Sequence, residues 1–114
     1  MSHLDEPARC QRGEDRNKGF NDLQSCRARI DEIDLRLLEL LNQRTAIVEE
    51  IGRIKHDLQL AIYEPKREEQ VFLNVSGHNH GPLPHEAVKR IFERIIDEMR
   101  TVQKLKILER TPET

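Results

Sequence analysis

The stretch that decides the fold is Asp22–Leu58, DLQSCRARIDEIDLRLLELLNQRTAIVEEIGRIKHDL. It contains no proline and a single glycine, Gly52. Its apolar side chains recur at steps of three and four residues, at Ile30, Ile33, Leu37, Leu40, Leu41, Ile47, Val48, Ile51, Ile54 and Leu58. This spacing predicts one long helix with an apolar stripe, capped at its start by Asn21 or Asp22.

The length of this helix predicts how it is buried. At about 1.5 Å per residue it spans roughly 55 Å, which exceeds the width of a small globule. The chain has only 114 residues, so the rest of it is too small to cover the whole stripe. We therefore expect two copies of the chain to pair along it as an intertwined helical homodimer.

Two further helices are predicted, which gives an all-α fold of three helices per chain. The second begins at Glu64–Pro65, with Glu64 at the cap and Pro65 at the first helical position, and ends near Ser76–Gly77. The third covers Pro84–Leu108. Its buried stripe is predicted to be Val88, Ile91, Phe92, Ile95, Ile96, Met99 and Val102. No period-two strand pattern is found, and an aromatic content of 4% does not suit an all-β core.

The chain is predicted to divide into a tail and one domain. Residues 1–21 are polar, mixed in charge and without periodicity, which predicts a flexible tail. Residues 22–110 then form a single small domain.

Composition and charge argue against several classes of function. The formal net charge of -2 gives no basic field for nucleic acid. The N-terminal residues lack the pattern of a signal peptide, and no apolar run approaches the length of a membrane span. Cys10 and Cys26 are not expected to form a disulfide. A cytoplasmic location is the expectation.

The sequence offers little for a metal or a covalent mechanism. His78, His80 and His85 lie in the loop HNHGPLPH without a nearby cysteine, which is a weak basis for zinc. No glycine-rich phosphate loop and no nucleophile–base order is found. We therefore expect no metal and no cofactor, and catalysis, if any, by binding and electrostatics.

The strongest candidate site lies between Arg44 and Lys55. Eleven residues at about 100° each bring the two side chains within roughly 20° of one direction, about 16 Å apart along the axis. Val48 and Ile51 lie between them on that face. Such a slot has cationic ends and an apolar floor, and it matches a compact dianion. Alternatively, the two cations are solvated or pair with Glu39, Glu49 or Glu50.

Other polar residues are candidates to join this slot. Arg27 points about 100° away, so it would reach a slot only in the partner chain of a dimer. Gln103 continues the apolar stripe of the third helix and is able to donate a hydrogen bond to a ligand; alternatively, the backbone satisfies it. Glu64 and Glu68 either face the slot or cap the second helix, and Arg67 would add a cation.

Three segments together resemble the all-helical class of chorismate mutases. They are RARIDEIDLRLLELLNQRTAIVEEIGRIK, IYEPKREEQVF and GPLPHEAVKRIFERIIDEMRTVQ. The resemblance covers about residues 23–105, and the set of motifs is specific although no single piece is. It implies an intertwined dimer with two active sites that rearrange chorismate to prephenate, in phenylalanine and tyrosine biosynthesis.

The resemblance also implies a role for each candidate. Lys55 and Gln103 contact the ether oxygen, and Glu68 binds the substrate hydroxyl. The substrate-binding arginines are Arg44, Arg67 and, from the partner chain, Arg27. Glu64 stands where some members have an aspartate that contributes through its backbone. Met99 stands where some members have a small or hydroxyl side chain on a carboxylate, and this departure puts that one contact in question.

Two alternatives are kept. Isochorismate-pyruvate lyase shares the architecture, but the connector between Lys55 and Glu64 and the presence of Glu68 favour the mutase. The second alternative is a non-catalytic helical dimer that regulates or docks another shikimate-pathway enzyme. The full set of cationic candidates argues against it.

Overall fold

The computed structural model describes residues 5–110, with side chains over residues 13–109. It contains α1 at Asp5–Asp57, α2 at Pro65–His78 and α3 at His85–Arg110. No strand occurs among the described residues, so the prediction of an all-α fold with three helices is confirmed. None of the helices in this part of the chain has the length and apolarity needed to cross a membrane.

The start of the first helix was predicted wrongly. We expected it at Asn21 or Asp22, but α1 begins at Asp5, so residues 5–21 of the predicted tail are helical. The physical reason is that no residue there forces an end. Pro7 lies near the helix start, where proline is tolerated, and Gly13 and Gly19 each cost only about 1 kcal/mol of helix propensity. Residues 1–4 lie outside the described part.

The chain divides into two compact units, Met1–Leu41 and Asn42–Thr114. In the first unit, the described residues belong to α1 and their side chains are almost all exposed. The large apolar ones are 44–68% exposed: Phe20, Leu23, Ile30, Ile33, Leu35, Leu37, Leu38 and Leu40. The free thiol of Cys26 is exposed as well, and the side chain of Cys10 lies outside the described ones.

The second unit contains the end of α1 together with α2 and α3. Its buried apolar side chains are Val88, Ile96 and Met99, all from the predicted stripe of α3. Ile91 departs from that prediction, because its side chain is 45% exposed. α2 begins at Pro65 as predicted and packs against α3.

Glu64 stands at the N-cap position of α2 but does not cap it with its side chain. Its backbone carbonyl accepts a hydrogen bond from the amide of Glu68 at 3.1 Å. The carboxylate is thereby left for another partner. Capping by the Glu64 side chain, which was one of the two alternatives for this residue, is therefore wrong.

Candidate active site

The second unit contains a pocket of about 290 Å³ between its three helical segments. Seven of the predicted site residues line it: Arg44, Lys55, Glu64, Arg67, Glu68, Met99 and Gln103. The apolar lining consists of Ile47, Val48, Ile51, Ile62, Val71 and Ile96. The predicted floor of Val48 and Ile51 is thus present between Arg44 and Lys55.

Lys55 is a buried cation, with 7% of its surface exposed. Its Nζ donates a hydrogen bond to the carbonyl oxygen of Ile62 at 2.9 Å and lies 3.1 Å from Oε1 of Glu64. An ammonium group has three donors, so these two partners leave one for a ligand. Glu64 therefore orients the lysine and offsets the cost of burying its charge.

Gln103 is the other buried polar side chain of the pocket, also 7% exposed. Its Nε2 donates to the carbonyl oxygen of Val48 at 3.1 Å, so the backbone does satisfy part of this amide. One amide N–H remains for a ligand. Gly52 of α1 faces Gln103, and a Cβ added there would lie 3.4 Å from Cγ of Gln103, in ordinary van der Waals contact.

Arg44 and Arg67 supply cations without carboxylate partners among the described residues. The pKa of Arg44 is lowered, first because burial desolvates its guanidinium group and second because Arg67 repels it. Arg67 is exposed, and within the described side chains its contact is a long one of 3.5 Å to Oε1 of Gln70. Two neighbouring cations in this state favour an anionic ligand.

The predicted alternative of helix-surface ion pairs is not found. Lys55 pairs with Glu64, and neither Lys55 nor Arg44 pairs with Glu39, Glu49 or Glu50 in the described part of the chain.

Met99 is buried in the core of the second unit and faces the pocket. The hydroxyl of Thr45 donates to its Sδ at 3.2 Å. A thioether is only a weak acceptor and no donor. Met99 thus contributes shape and apolar surface rather than a contact to a carboxylate.

Arg100 also lines the pocket, although it was not among the predicted site residues. Its Nη2 lies 2.6 Å from Oε2 of Glu68, and its guanidinium group lies 5.0 Å from the centroid of the Tyr63 ring. A signal was available in the sequence: Arg100 follows Ile96 by four residues and precedes Gln103 by three, which places it beside both on α3.

Arg27 is the one predicted site residue that the pocket does not include. It lies on the part of α1 in the first unit and is exposed. No group of three or more potential ligands that could hold a metal ion is found among the described residues, His78, His80 and His85 included.

The charge of the pocket suits a small dianion. Its lining holds four cationic side chains, Arg44, Lys55, Arg67 and Arg100, against two acidic ones, Glu64 and Glu68. The excess of two positive charges surrounds an apolar middle. A ligand with two negative groups and a small hydrophobic body would be complementary in both respects.

Comparisons with known proteins agree with this description. The family profile for chorismate mutase type II matches residues 26–104. The chain is 30% identical over 84 residues to a chorismate mutase of Methanocaldococcus jannaschii, covering 72% of this chain and 84% of that protein. It is 39% identical over 75 residues to a bifunctional chorismate mutase/prephenate dehydratase of Neisseria gonorrhoeae, covering 66% of this chain.

The chain spans only 20–27% of the length of the bifunctional relatives that it matches. Among solved structures, it resembles a chorismate mutase of Helicobacter pylori in complex with prephenate. The TM-score is 0.73 and the identity 29%, over 78% of this chain and 97% of that one. The match to the family profile covers well over half of the sequence, so the chain belongs to the chorismate mutase type II family.

Proposed function

We propose that this protein is a chorismate mutase, which rearranges chorismate to prephenate. The observation that carries the proposal is that one pocket with an apolar lining combines two kinds of polar group. Lys55 and Gln103 are its buried polar side chains, and Arg44 and Arg67 are arginines without a carboxylate partner among the described residues. Membership of the family gives the reaction, and the pocket supplies groups suited to it.

The chemistry needs little from the protein. Within one molecule of chorismate, the enol ether C–O bond breaks as a C–C bond forms, with no proton transfer and no covalent intermediate. Two effects are then sufficient: holding the reactive diaxial conformer, which lowers the ordering cost, and stabilising the negative charge that grows on the ether oxygen.

The described contacts support a role for each group. The free N–H groups of Lys55 and Gln103 are assigned to the ether oxygen, because both side chains are fixed by backbone carbonyls. Arg44 and Arg67 are assigned to the carboxylates and Glu68 to the ring hydroxyl. Glu64 acts through Lys55, and Met99 fills space beside the ring.

The dimer is part of the proposal, and the first unit of the chain supports it. The apolar stripe of α1 from Ile30 to Leu40 is half or more exposed, and a second copy would cover it. In an intertwined pair, Arg27 would reach the partner's pocket and complete the cationic set. A cytoplasmic location and docking to another shikimate-pathway enzyme stay predictions.

The two rival functions are less well supported. Glu68 and the connector that brings the Ile62 carbonyl to Lys55 favour the mutase over an isochorismate-pyruvate lyase. A purely regulatory dimer has no need for four cationic side chains around one apolar pocket.

The test is an assay of chorismate loss and prephenate formation, with isochorismate as the second substrate. We expect turnover of chorismate only. Lys55→Ala is expected to lower kcat by about 100- to 1,000-fold, as removal of one preorganised donor does elsewhere. Lys66→Ala, an exposed lysine outside the pocket, is the matched control and should keep wild-type activity. Near-full turnover by Lys55→Ala would contradict the proposal.

A further inference from the structure

Arg100 is held from three sides in the second unit. On α2, Oε2 of Glu68 accepts a hydrogen bond from its Nη2 at 2.6 Å. On its own helix, Asp97 Oδ1 lies 3.4 Å from its Nη1. In the connector between α1 and α2, the ring of Tyr63 faces the guanidinium group, with the centroid 5.0 Å away. These contacts fix the position and the plane of the guanidinium group.

The pair of Arg100 and Glu68 differs from an ordinary surface ion pair. Their side chains are only 25% and 23% exposed, and both line the pocket. On the same helix, Arg94 and Glu98 lie 2.8 Å apart with 77% and 58% of their side chains exposed. An exposed pair of that kind contributes little. A pair that is largely removed from water at a pocket wall orients its members more strongly.

Within residues 13–109, Glu68 has one occupied and one open oxygen. Arg100 binds Oε2, and the carboxylate has further acceptor positions on Oε1. A carboxylate held in this way presents a fixed acceptor to the pocket. The ligand group that such an acceptor takes is a hydroxyl.

We propose that Arg100 is a positioning residue, which holds the Glu68 carboxylate so that it accepts a hydrogen bond from the ring hydroxyl of the substrate. The inference rests on the proposed function, since the hydroxyl is that of chorismate. Arg100 acts through Glu68 and does not itself contact the reacting atoms. It thereby contributes to selection for the hydroxylated ring.

The test is a double-mutant cycle with Arg100→Met and Glu68→Gln, read as kcat/KM for chorismate. Each single variant is expected to lose about 10- to 150-fold, the range of a charge-assisted hydrogen bond. The double variant is expected to lose no more than Glu68→Gln alone, because residues that act as one unit are not additive. Arg100→Lys keeps the positive charge but lacks the planar set of donors of a guanidinium group, and it should lose less activity than Arg100→Met.

A second measurement separates positioning from mere stabilisation. Competitive inhibition is compared for a chorismate analogue with the ring hydroxyl and one without it, both inert to rearrangement. The wild-type protein should prefer the hydroxylated analogue, and Arg100→Met should lose most of that preference. Arg94→Met, which removes the exposed pair on the same helix, should change neither the preference nor kcat/KM.

The outcomes distinguish the two proposals. A wild-type protein that turns over chorismate, with additive losses in the cycle or an unchanged hydroxyl preference in Arg100→Met, overturns the role of Arg100 alone. If Arg100→Met does not fold, Arg100→Lys carries the same comparison, and full activity with full preference in it overturns the assignment. A wild-type protein that does not convert chorismate overturns the proposed function instead.

Discussion

The two parts of α1 carry the same amphipathic pattern but differ in what they expose and bury, because the first exposes apolar side chains and the second buries a cation. In the first unit, Ile33 and Leu40 are 59% and 60% exposed. In the second unit, Lys55 on the same helix is 7% exposed. Exposed apolar side chains indicate a surface that another chain covers, whereas the buried ammonium group, paired with Glu64 and the Ile62 carbonyl, has one donor left for a ligand. One periodic pattern thus serves an interface at one end and a pocket at the other.

A charge on the apolar stripe of the first unit tests the first half of this comparison and should have the largest effect. Leu37→Glu places a carboxylate on the stripe, where pairing would bury it without a partner at a cost of several kcal/mol. We expect loss of the dimer in light-scattering chromatography and loss of nearly all turnover. Leu35→Glu is the matched control, because Leu35 points about 160° away from Leu37 and is 68% exposed.

The same experiment is able to contradict the dimer. If the wild-type protein is a monomer at micromolar concentration and still converts chorismate, the exposed stripe has no role as an interface. Equal behaviour of Leu37→Glu and Leu35→Glu would lead to the same conclusion.

Complementation between a variant of the first unit and a variant of the second tests whether both units contribute to one site, and it is expected to have the next largest effect. Arg27→Ala and Lys55→Ala should each lose about 100-fold or more in kcat/KM, because each removes a charged contact to the substrate. After unfolding and refolding together, mixed dimers contain one intact site, with Lys55 from one chain and Arg27 from the other. About a quarter of wild-type activity should return, since half of the dimers are mixed and each has one of two sites.

Recovery of activity in the mixture is informative, because each variant alone is expected to be nearly inactive. If the refolded mixture stays as inactive as its components while both variants remain dimeric, Arg27 does not act across the interface.

Most of the fold could be predicted from periodicity, because helices of this kind are specified by local spacing. The start of α2 at Pro65 follows from the geometry of proline. That Arg44 and Lys55 lie on the same side of α1 follows from a rotation of about 100° per residue. The start of α1 could not be predicted, because the residues before Asn21 have no apolar period although they tolerate a helix. The exposure of Ile91 likewise depends on which elements surround α3, and the spacing of apolar residues does not predict those elements.

The candidate site was predictable only as far as charges fell on apolar stripes. Lys55 and Gln103 stand out because each interrupts such a stripe. Arg100 gives a weaker signal, since it lies beside Ile96 and Gln103 on α3 but equally beside Asp97 and Lys104. Its burial comes from Glu68 and Tyr63, which are distant in sequence, and such a contact has no local signature.

Arg44→Met tests whether the cations of the pocket lower the stability of the folded protein until an anion binds. Burial and Arg67 lower the pKa of Arg44, so its charged form is less favourable in the folded chain than in the unfolded one. Arginine stays charged at every pH at which proteins are commonly stable, so only substitution removes this cost. We expect Arg44→Met to raise Tm by a few degrees and to bind substrate poorly.

Calorimetry with prephenate completes that prediction. At about 100 times the dissociation constant, a ligand stabilises by roughly 2.7 kcal/mol, so the Tm of the wild-type protein should rise. Arg44→Met should show little rise at the same concentration. A lower Tm for the free variant would mean that the packing of the arginine stem outweighs its unfavourable charge.

The smallest effect is expected at Gly52, where α1 meets the glutamine of the pocket. An added Cβ would lie 3.4 Å from Cγ and 3.7 Å from Cβ of Gln103, which is ordinary van der Waals contact. Gly52→Ala should therefore gain roughly 0.5–1 kcal/mol of helix propensity in thermal unfolding and keep near-full kcat. Gly52→Val adds two methyl groups at the same place and should displace Gln103, with loss of kcat and little change in the oligomeric state. If Gly52→Ala lowered kcat as strongly as Gly52→Val, the position of Gln103 would be set to a few tenths of an ångström. The pocket end of α1 would then be far less tolerant of change than the exposed end, where an added Cβ at Gly13 or Gly19 would meet no other described atom within 4 Å outside the adjacent backbone.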